Sequence, residues 1–250
     1  MTTWKRALRF TLCLLPVAAA AAYVTALYSL SGLDPALADA AVAQMGSRTA
    51  LLLFSTLQSI VYAVICGYFG YILADKLDLI RPWRLEKLPL LRTLAASAAA
   101  GAVFSLDRWT FCRWIPALWG ADYGFDAVSW LGSVLYGGVI EEVMLRLFVM
   151  SLVAWLAWRL FCRKSGTVPE GVLIAANCVA ALLFAAGHLP STVQLLGGLT
   201  PLLVLRCFLL NGAFGLLFGR LYRKYGIQYA MLSHALVHIV SKTIWLLFAA

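Results

Sequence analysis

Two adjacent glutamates lie well inside an apolar stretch of the chain. The other nine of the eleven acidic residues lie in loops or near the ends of apolar stretches, whereas Glu141 and Glu142 do not. A charge at the centre of a bilayer costs at least ~2.5–3.5 kcal/mol, so residues of this kind face the protein interior and are candidates for function. We therefore start from these two carboxylates.

An arginine follows the pair at helical spacing. Glu142 and Arg146 are four residues apart with the acid first, which is the favourable order for an ion pair on a helix. Glu141 points about 100° away on the helix. We expect Arg146 to keep Glu142 ionised and Glu141 to remain free to act as a general base. A buried ion pair that only fixes helix packing explains the same residues equally well.

All three histidines of the chain lie in its apolar C-terminal part. His234 and His238 are four residues apart, so their rings share one face of a helix, and His188 precedes them. This spacing suits either a metal ion or two donors aimed at one oxyanion. The HExxH pattern of zinc peptidases does not occur in the sequence.

Several other residues of the apolar segments give weaker indications of structure or function. Gly137 and Gly138 precede the glutamates by one turn and indicate either helix packing or close approach of a substrate. Gly215 and Gly219 form a small-xxx-small face, for which packing is the favoured interpretation. Other polar residues of the C-terminal part have separate predictions: Asn211 bonds across helices near the site, and Arg206 and Lys242 reach to a membrane interface.

The composition indicates what must position these side chains. The chain of 250 residues is 63% hydrophobic and 12% charged, against roughly 25% charged residues in a soluble domain. Its mean hydropathy is +0.87. The sequence therefore predicts an all-α, polytopic membrane bundle with about seven transmembrane helices, within a range of six to eight. The predicted segments are 10–30, 49–74, 93–106, 127–158, 171–189, 201–219 and 227–250.

The net charge of +9 is concentrated in four short clusters between the apolar segments. Such clusters follow the positive-inside rule and do not indicate nucleic acid. Residues 75–92 predict an amphipathic linker at the cytoplasmic interface. We expect residues 1–92 to form the N-terminal membrane helices with this linker, and residues 93–250 to form the catalytic helical core of one membrane domain.

Three motifs on successive segments resemble those of the CPBP intramembrane proteases, the family that includes the CAAX prenyl endopeptidase Rce1. They are Glu141-Glu142-x-x-x-Arg146, Phe184-x-x-x-His188 and His234-x-x-x-His238, and the resemblance covers about residues 130–245. It implies a glutamate-type endopeptidase that cuts a membrane-proximal peptide bond. In that reaction Glu141 and His188 would activate water, His234 and His238 would stabilise the oxyanion, and Glu142 and Arg146 would support Glu141.

The chain departs from the family at one position, because the family usually has Asn or Asp where this chain has His238. A neutral histidine still donates a hydrogen bond, so we favour a metal-free site without cofactors. The alternative is a divalent metal such as Zn²⁺ held by Glu141, His188, His234 and His238. A non-proteolytic scaffold or immunity protein of the same fold is a further alternative.

The sequence also gives expectations about the partners and the cellular location of the protein. Its partners should be membrane lipids and a peptide or protein substrate, which in this family can be lipidated. The short chain with bare loops favours the inner membrane of a bacterium.

Overall fold

The computed structural model describes residues 1–33, 35–118 and 126–248, and in this part of the chain the regular structure is entirely helical. We number nine helices in chain order. They are α1 (Thr3–Ser31), α2 (Pro35–Met45), α3 (Arg48–Lys76), α4 (Lys87–Ser105), α5 (127–161), α6 (Glu170–Gly187), α7 (Leu189–Leu196), α8 (Pro201–Tyr225) and α9 (Ile227–Phe248). Short helical turns at Leu106–Trp109 and Phe111–Trp114 follow α4.

Six helices in the described residues are long and apolar enough to cross a membrane. They are Thr3–Ser31, Arg48–Lys76, Lys87–Trp114, Glu170–Leu196, Pro201–Tyr225 and Ile227–Phe248. Helix α5 is a further long helix, and it carries the two glutamates and Arg146. The prediction of a polytopic all-α bundle is therefore confirmed, and the chain is an integral membrane protein.

Some predicted boundaries were wrong. The segment predicted as a loop at 31–48 contains α2, whose residues are mostly alanine and other good helix formers. Helix α4 begins at Lys87 instead of 93, so the end of the predicted interfacial linker is helical. Helix α8 continues to Tyr225, past the predicted end at 219. Residues 119–125 and 249–250 of the predicted core lie outside the described residues.

Contacts between helix ends gather the basic clusters at one end of the bundle. Arg6 at the start of α1 pairs with Asp75 at the end of α3, with 3.0 Å between nitrogen and oxygen. The hydroxyl of Tyr229, at the start of α9, accepts a hydrogen bond of 2.7 Å from the Glu86 amide. Arg223 at the end of α8 pairs with Glu170 at the start of α6. This common end is the arrangement that alternating membrane spans require.

Close helix crossings depend on residues without side chains. A Cβ atom at Gly70 of α3 would lie 2.9 Å from the backbone of Leu147 in α5. A Cβ at Gly215 of α8 would lie 3.1 Å from the Cβ of Ala181 in α6, and one at Gly219 would overlap Asn177. The packing interpretation of the Gly215 and Gly219 face is therefore confirmed.

Helix α5 is wound more widely than an α-helix over its middle. The stretches Ser133–Glu141 and Val143–Met150 are π-helical, with bonds between residues five apart. π-Helical winding is rare in proteins, and where it occurs it is frequently at a functional site. In this chain it surrounds both glutamates.

Candidate active site

The ion pair expected between Glu142 and Arg146 forms, and it is fully enclosed. Arg146 Nη1 lies 3.1 Å from Glu142 Oε1, and neither side chain is more than 1% exposed. Arg146 Nη2 also donates to the carbonyl oxygen of Gly215 at 3.2 Å. The guanidinium carbon lies 4.6 Å from the ring centre of Phe184 and 5.4 Å from that of Phe218. These contacts from α6 and α8 hold the guanidinium in one place.

His234 is the second partner of Glu142. Its Nδ1 lies 2.8 Å from Glu142 Oε1, and its ring stacks on Phe218 with 4.4 Å between ring centres. Because an ionised carboxylate only accepts hydrogen bonds, Nδ1 of His234 carries the hydrogen. Glu142 is therefore engaged by Arg146 on one helix and by His234 on another, and it has no route to a substrate.

Glu141 has a different environment from its neighbour. Its side chain is 21% exposed, and it faces a cavity of about 290 Å³ lined by residues of helices α1, α4, α5, α7, α8 and α9. His188 and His238 line the same cavity. Glu141 Oε2 lies 3.9 Å from Nε2 of His234. Of the two adjacent carboxylates, Glu141 is the one available to a water molecule and a substrate.

His188 lies where α6 ends and α7 begins. Its Nδ1 is 2.8 Å from the carbonyl oxygen of Phe184, and its ring meets the Phe184 ring edge-on at 4.7 Å. A carbonyl oxygen accepts only, so Nδ1 is the donor and the neutral ring keeps its lone pair on Nε2. The histidine thus offers a hydrogen-bond acceptor on the cavity side, as proton transfer to or from water requires.

His238 lies one turn after His234 on α9 and lines the cavity. The Nε2 atoms of the two rings are 3.2 Å apart. Because Nδ1 of a neutral His234 donates to Glu142, its Nε2 is an acceptor, and Nε2–H of His238 is then the donor. A chain of hydrogen bonds therefore runs from the Arg146–Glu142 pair through His234 to His238 at the cavity wall.

These contacts bear on the alternative of a metal centre at Glu141, His188, His234 and His238. Both ring nitrogens of His234 are engaged, one by Glu142 and the other by His238. Within the part of the chain that the structure describes, no group of three or more His, Cys, Asp or Glu side chains has an arrangement that could hold a metal ion. A carboxylate partner on Nδ1 is usual for a metal-binding histidine, so the bond to Glu142 fits a metal ligand and a metal-free hydrogen-bond donor equally. The metal-free site stays a proposal.

Two basic residues of the cavity were assigned wrongly from the sequence. Arg206 and Lys242 line the cavity instead of reaching to an interface. Arg206 Nε lies 2.9 Å from Oδ1 of the buried Asp107, and Lys242 Nζ donates to the Ser129 hydroxyl at 3.0 Å. A basic residue in an apolar helix is equally consistent with an ion pair inside the protein and with a side chain that reaches the membrane interface. Only a partner that is distant in the sequence decides between these two arrangements.

Three further residues line the cavity. Tyr136 and Gly137 precede Glu141 on α5, and Asn211 projects from α8. Asn211 was expected to bond across helices, but its Nδ2 donates to the Cys207 carbonyl of its own helix at 3.1 Å. Nothing in the sequence distinguished Tyr136 from the other aromatic residues of the apolar segments.

One comparison with known proteins gives a match. Residues 123–240 match the family model described as Type II CAAX prenyl endopeptidase Rce1-like, which covers slightly less than half of the chain. The matched stretch contains all six residues of the predicted site, so the resemblance drawn from the three motifs is confirmed. No curated protein and no solved structure matches the chain.

Proposed function

We propose that this chain, whose residues 123–240 match the model of the Rce1-like Type II CAAX prenyl endopeptidases, is a glutamate-type intramembrane endopeptidase. One observation carries the proposal. A cavity among the membrane helices joins Glu141 with His188 and His238, while the neighbouring Glu142 is enclosed and already paired. A purely structural Glu–Arg pair needs one glutamate, and the second one faces the cavity.

The first step is attack by water on the scissile carbonyl carbon. The Glu141 carboxylate takes one proton from the water as its oxygen bonds to that carbon, and the carbonyl electron pair moves onto the carbonyl oxygen. His188 accepts a hydrogen bond from the same water through Nε2 and so fixes its direction. General base catalysis of this kind contributes roughly 10²–10⁴-fold to the rate.

The negative charge that forms on the carbonyl oxygen needs a donor nearby. His238 supplies it, because its Nε2–H, which donates to Nε2 of His234 in the resting site, turns to the oxyanion when the substrate is bound. The ring of His234 contacts that of His238 and is itself held by the carboxylate of Glu142. Donors placed in advance for a developing charge are usually the largest single contribution to such catalysis.

The second step breaks the carbon–nitrogen bond. The tetrahedral intermediate collapses, its oxygen re-forms the carbonyl group, and the electron pair of the broken bond leaves with nitrogen. Protonated Glu141 returns its proton to that nitrogen, so one product leaves as an amine and the other as a carboxylic acid. Glu141 is then a carboxylate again, ready for the next water molecule.

The substrate that suits this site reaches it from the membrane. The family is described as a CAAX prenyl endopeptidase, and the helices around the cavity have apolar outer surfaces, with residues such as Leu12 and Leu209 more than half exposed. We therefore propose a peptide held at the membrane by a lipid group or an apolar segment. The location we propose is the inner membrane of a bacterium.

The direct test uses the purified protein in liposomes of bacterial lipids. Quenched fluorescent peptides that end in a prenylated CAAX sequence, the same peptides without the prenyl group, and a mixed library of membrane-anchored peptides would be offered in turn. Glu141→Gln and His188→Ala should abolish cleavage of whichever peptide the parent cuts. Glu170→Gln is the matched control, since Glu170 is a surface glutamate whose ion pair among the described residues is with Arg223.

Two results would contradict the proposal. If Glu141→Gln and His188→Ala cleave as fast as the parent, the assigned base and its partner are wrong. If the parent cleaves no peptide and Glu141→Gln keeps the full cellular function of the protein, the non-proteolytic scaffold is the better account.

A further inference from the structure

We propose that Gly137 is a positioning residue, which lets a full imidazole ring stand at position 238 beside Glu141. The inference rests on the proposed function, since it concerns the geometry of the oxyanion donor. A Cβ atom at Gly137 would lie 3.2 Å from Nε2 of His238, 3.5 Å from its Cδ2, and 3.3 Å from Nε2 of His234. The two distances to Nε2 atoms are tighter than ordinary van der Waals contact, so a side chain at 137 would meet both histidine rings.

The next glycine of the chain has a different neighbour. A Cβ atom at Gly138 would lie 2.9 Å from the Cβ of Ala235 and 3.2 Å from its backbone atoms. Gly138 therefore sets the distance between the backbones of α5 and α9. Gly137 instead faces the cavity and sets the position of imidazole nitrogens. The two glycines are separable by experiment.

A methyl group at position 137 would displace the ring of His238 and leave that of His234 in place. His234 is held by Glu142 at 2.8 Å on one side and by the Phe218 ring at 4.4 Å on a second. His238 lies at the cavity wall, with the Phe104 ring 6.2 Å away as an edge contact. The methyl group would therefore move His238 by a few tenths of an ångström and disturb its 3.2 Å contact with His234.

The contact also connects two sequence features that looked unrelated. An asparagine at 238 ends closer to the backbone than an imidazole does, and it still offers an N–H donor. Such a side chain would leave room for a methyl group at 137. The histidine at 238 and the glycine at 137 are thus a matched pair, and the glycine compensates for the larger ring.

The experiment is a double-mutant comparison of Gly137→Ala, His238→Asn and the variant with both changes. Gly137→Ala should lower kcat by about 10- to 100-fold, because displacements at a reacting centre are costly, and should leave KM and the thermal unfolding midpoint near the parent values. The double variant should cleave at least about tenfold faster than Gly137→Ala, which is the non-additivity expected of residues in contact. Gly171→Ala is the control, since nothing lies within 4 Å of a Cβ at that position.

The substrate for these measurements is the peptide that the parent cleaves in liposomes. A double variant no faster than Gly137→Ala would overturn the inference, and so would a Gly137→Ala variant with the parent's kcat. A fall in the unfolding midpoint of Gly137→Ala as large as that of Gly138→Ala would show a packing role instead. None of these results touches the proposed function, which fails on a different observation, such as a Glu141→Gln variant that cleaves like the parent.

A second readout does not depend on turnover. The chain has three histidines, so ¹⁵N-histidine labelling gives a spectrum with few ring-nitrogen signals. Gly137→Ala should shift the Nε2 signals of His234 and His238 and leave those of His188 in place. Unchanged Nε2 signals in Gly137→Ala would contradict the contact itself.

Discussion

Helix α5 has two faces that carry the same residue types and use them differently. On the face toward the cavity lie Gly137 and Glu141, and on the face toward the packed interior lie Gly138 and Glu142. Each interior residue meets a fixed neighbour, Ala235 for the glycine and Arg146 for the glutamate. Each cavity residue meets the histidines or open space. Adjacent identical residues on one helix therefore separate into one that faces the cavity and one that is packed against other helices.

The comparison explains why two charges are tolerated in one membrane helix. The charge of Glu142 is compensated by Arg146 and by the hydrogen of His234, and all three are packed between aromatic rings. The charge of Glu141 is solvated by the cavity instead. A substitution on the interior face should lower the stability of the fold, whereas a substitution on the cavity face should lower kcat.

The largest effect on stability is expected from Glu142→Ala. It leaves the guanidinium of Arg146 buried without its partner, which costs about 3–5 kcal/mol, a large share of the roughly 5–15 kcal/mol of a whole domain. Unfolding in detergent, followed by circular dichroism against temperature and denaturant, measures the loss. An unfolding midpoint equal to the parent's would show that the pair does not stabilise the interior face.

A double change sharpens the same comparison. Glu142→Met together with Arg146→Met replaces the pair by apolar side chains of similar length, and such replacements are often neutral or stabilising. The double variant should regain the stability that Glu142→Ala loses. It should stay poorly active, because His234 loses the carboxylate that fixes its ring.

On the cavity side, His188→Ala should reduce kcat by about 10²–10⁴-fold, the usual contribution of a group that moves or orients a proton. Its unfolding midpoint should stay near the parent's, because the only hydrogen bond of this ring among the described residues is to the Phe184 carbonyl one turn earlier. Cleavage assays in liposomes and unfolding in detergent test both statements. A stable variant with parental kcat would remove His188 from the site.

A moderate effect is expected away from the cavity, at the crossing of α6 and α8. Gly219→Ala would force its methyl group into Asn177, whose Nδ2 donates to the Leu216 carbonyl at 3.0 Å. Overpacking of this kind costs about 1–3 kcal/mol, and Asn177→Ala in the same chain should restore part of it. Gly171→Ala on α6 is again the matched control. Equal unfolding midpoints for Gly219→Ala and Gly171→Ala would contradict the close crossing.

The smallest expected effect is that of metal removal. Dialysis of the purified protein against a chelator should leave kcat unchanged, because in the proposed reaction Glu141 and His188 activate the water without a metal ion. Metal analysis of the active protein is the accompanying control. Loss of activity on dialysis that Zn²⁺ restores would overturn the metal-free proposal and bring back the centre at Glu141, His188, His234 and His238.

Much of the site could be predicted from local spacing. The four-residue interval between Glu142 and Arg146, and the same interval between His234 and His238, are properties of a helix, and both contacts form. What spacing could not predict was that His234 joins Glu142 across two helices. That contact depends on how α5 and α9 pack, which is set by residues such as Gly138 and Ala235, far apart in the sequence.

The fold, like the site, could be predicted only in part from the sequence. The apolar segments follow from the need for long apolar helices in a bilayer, and their number was predicted within its range. The π-helical winding of α5 was not predicted, because residues 133–150 are apolar at most positions and therefore carry little hydrophobic periodicity of either kind. The pairing of Arg206 with Asp107 was missed for the same reason as the His234 contact, since its two members lie on different helices.

The most direct test of the division between the two faces compares Glu141→Gln with Glu142→Gln in one preparation, with kcat and the unfolding midpoint measured for each. We expect Glu141→Gln to lose about 10³-fold in kcat and keep the parental midpoint, and Glu142→Gln to unfold at a clearly lower temperature. A Glu141→Gln variant that cleaves at the parental rate, or one that unfolds early beside a fully stable Glu142→Gln, would contradict the account.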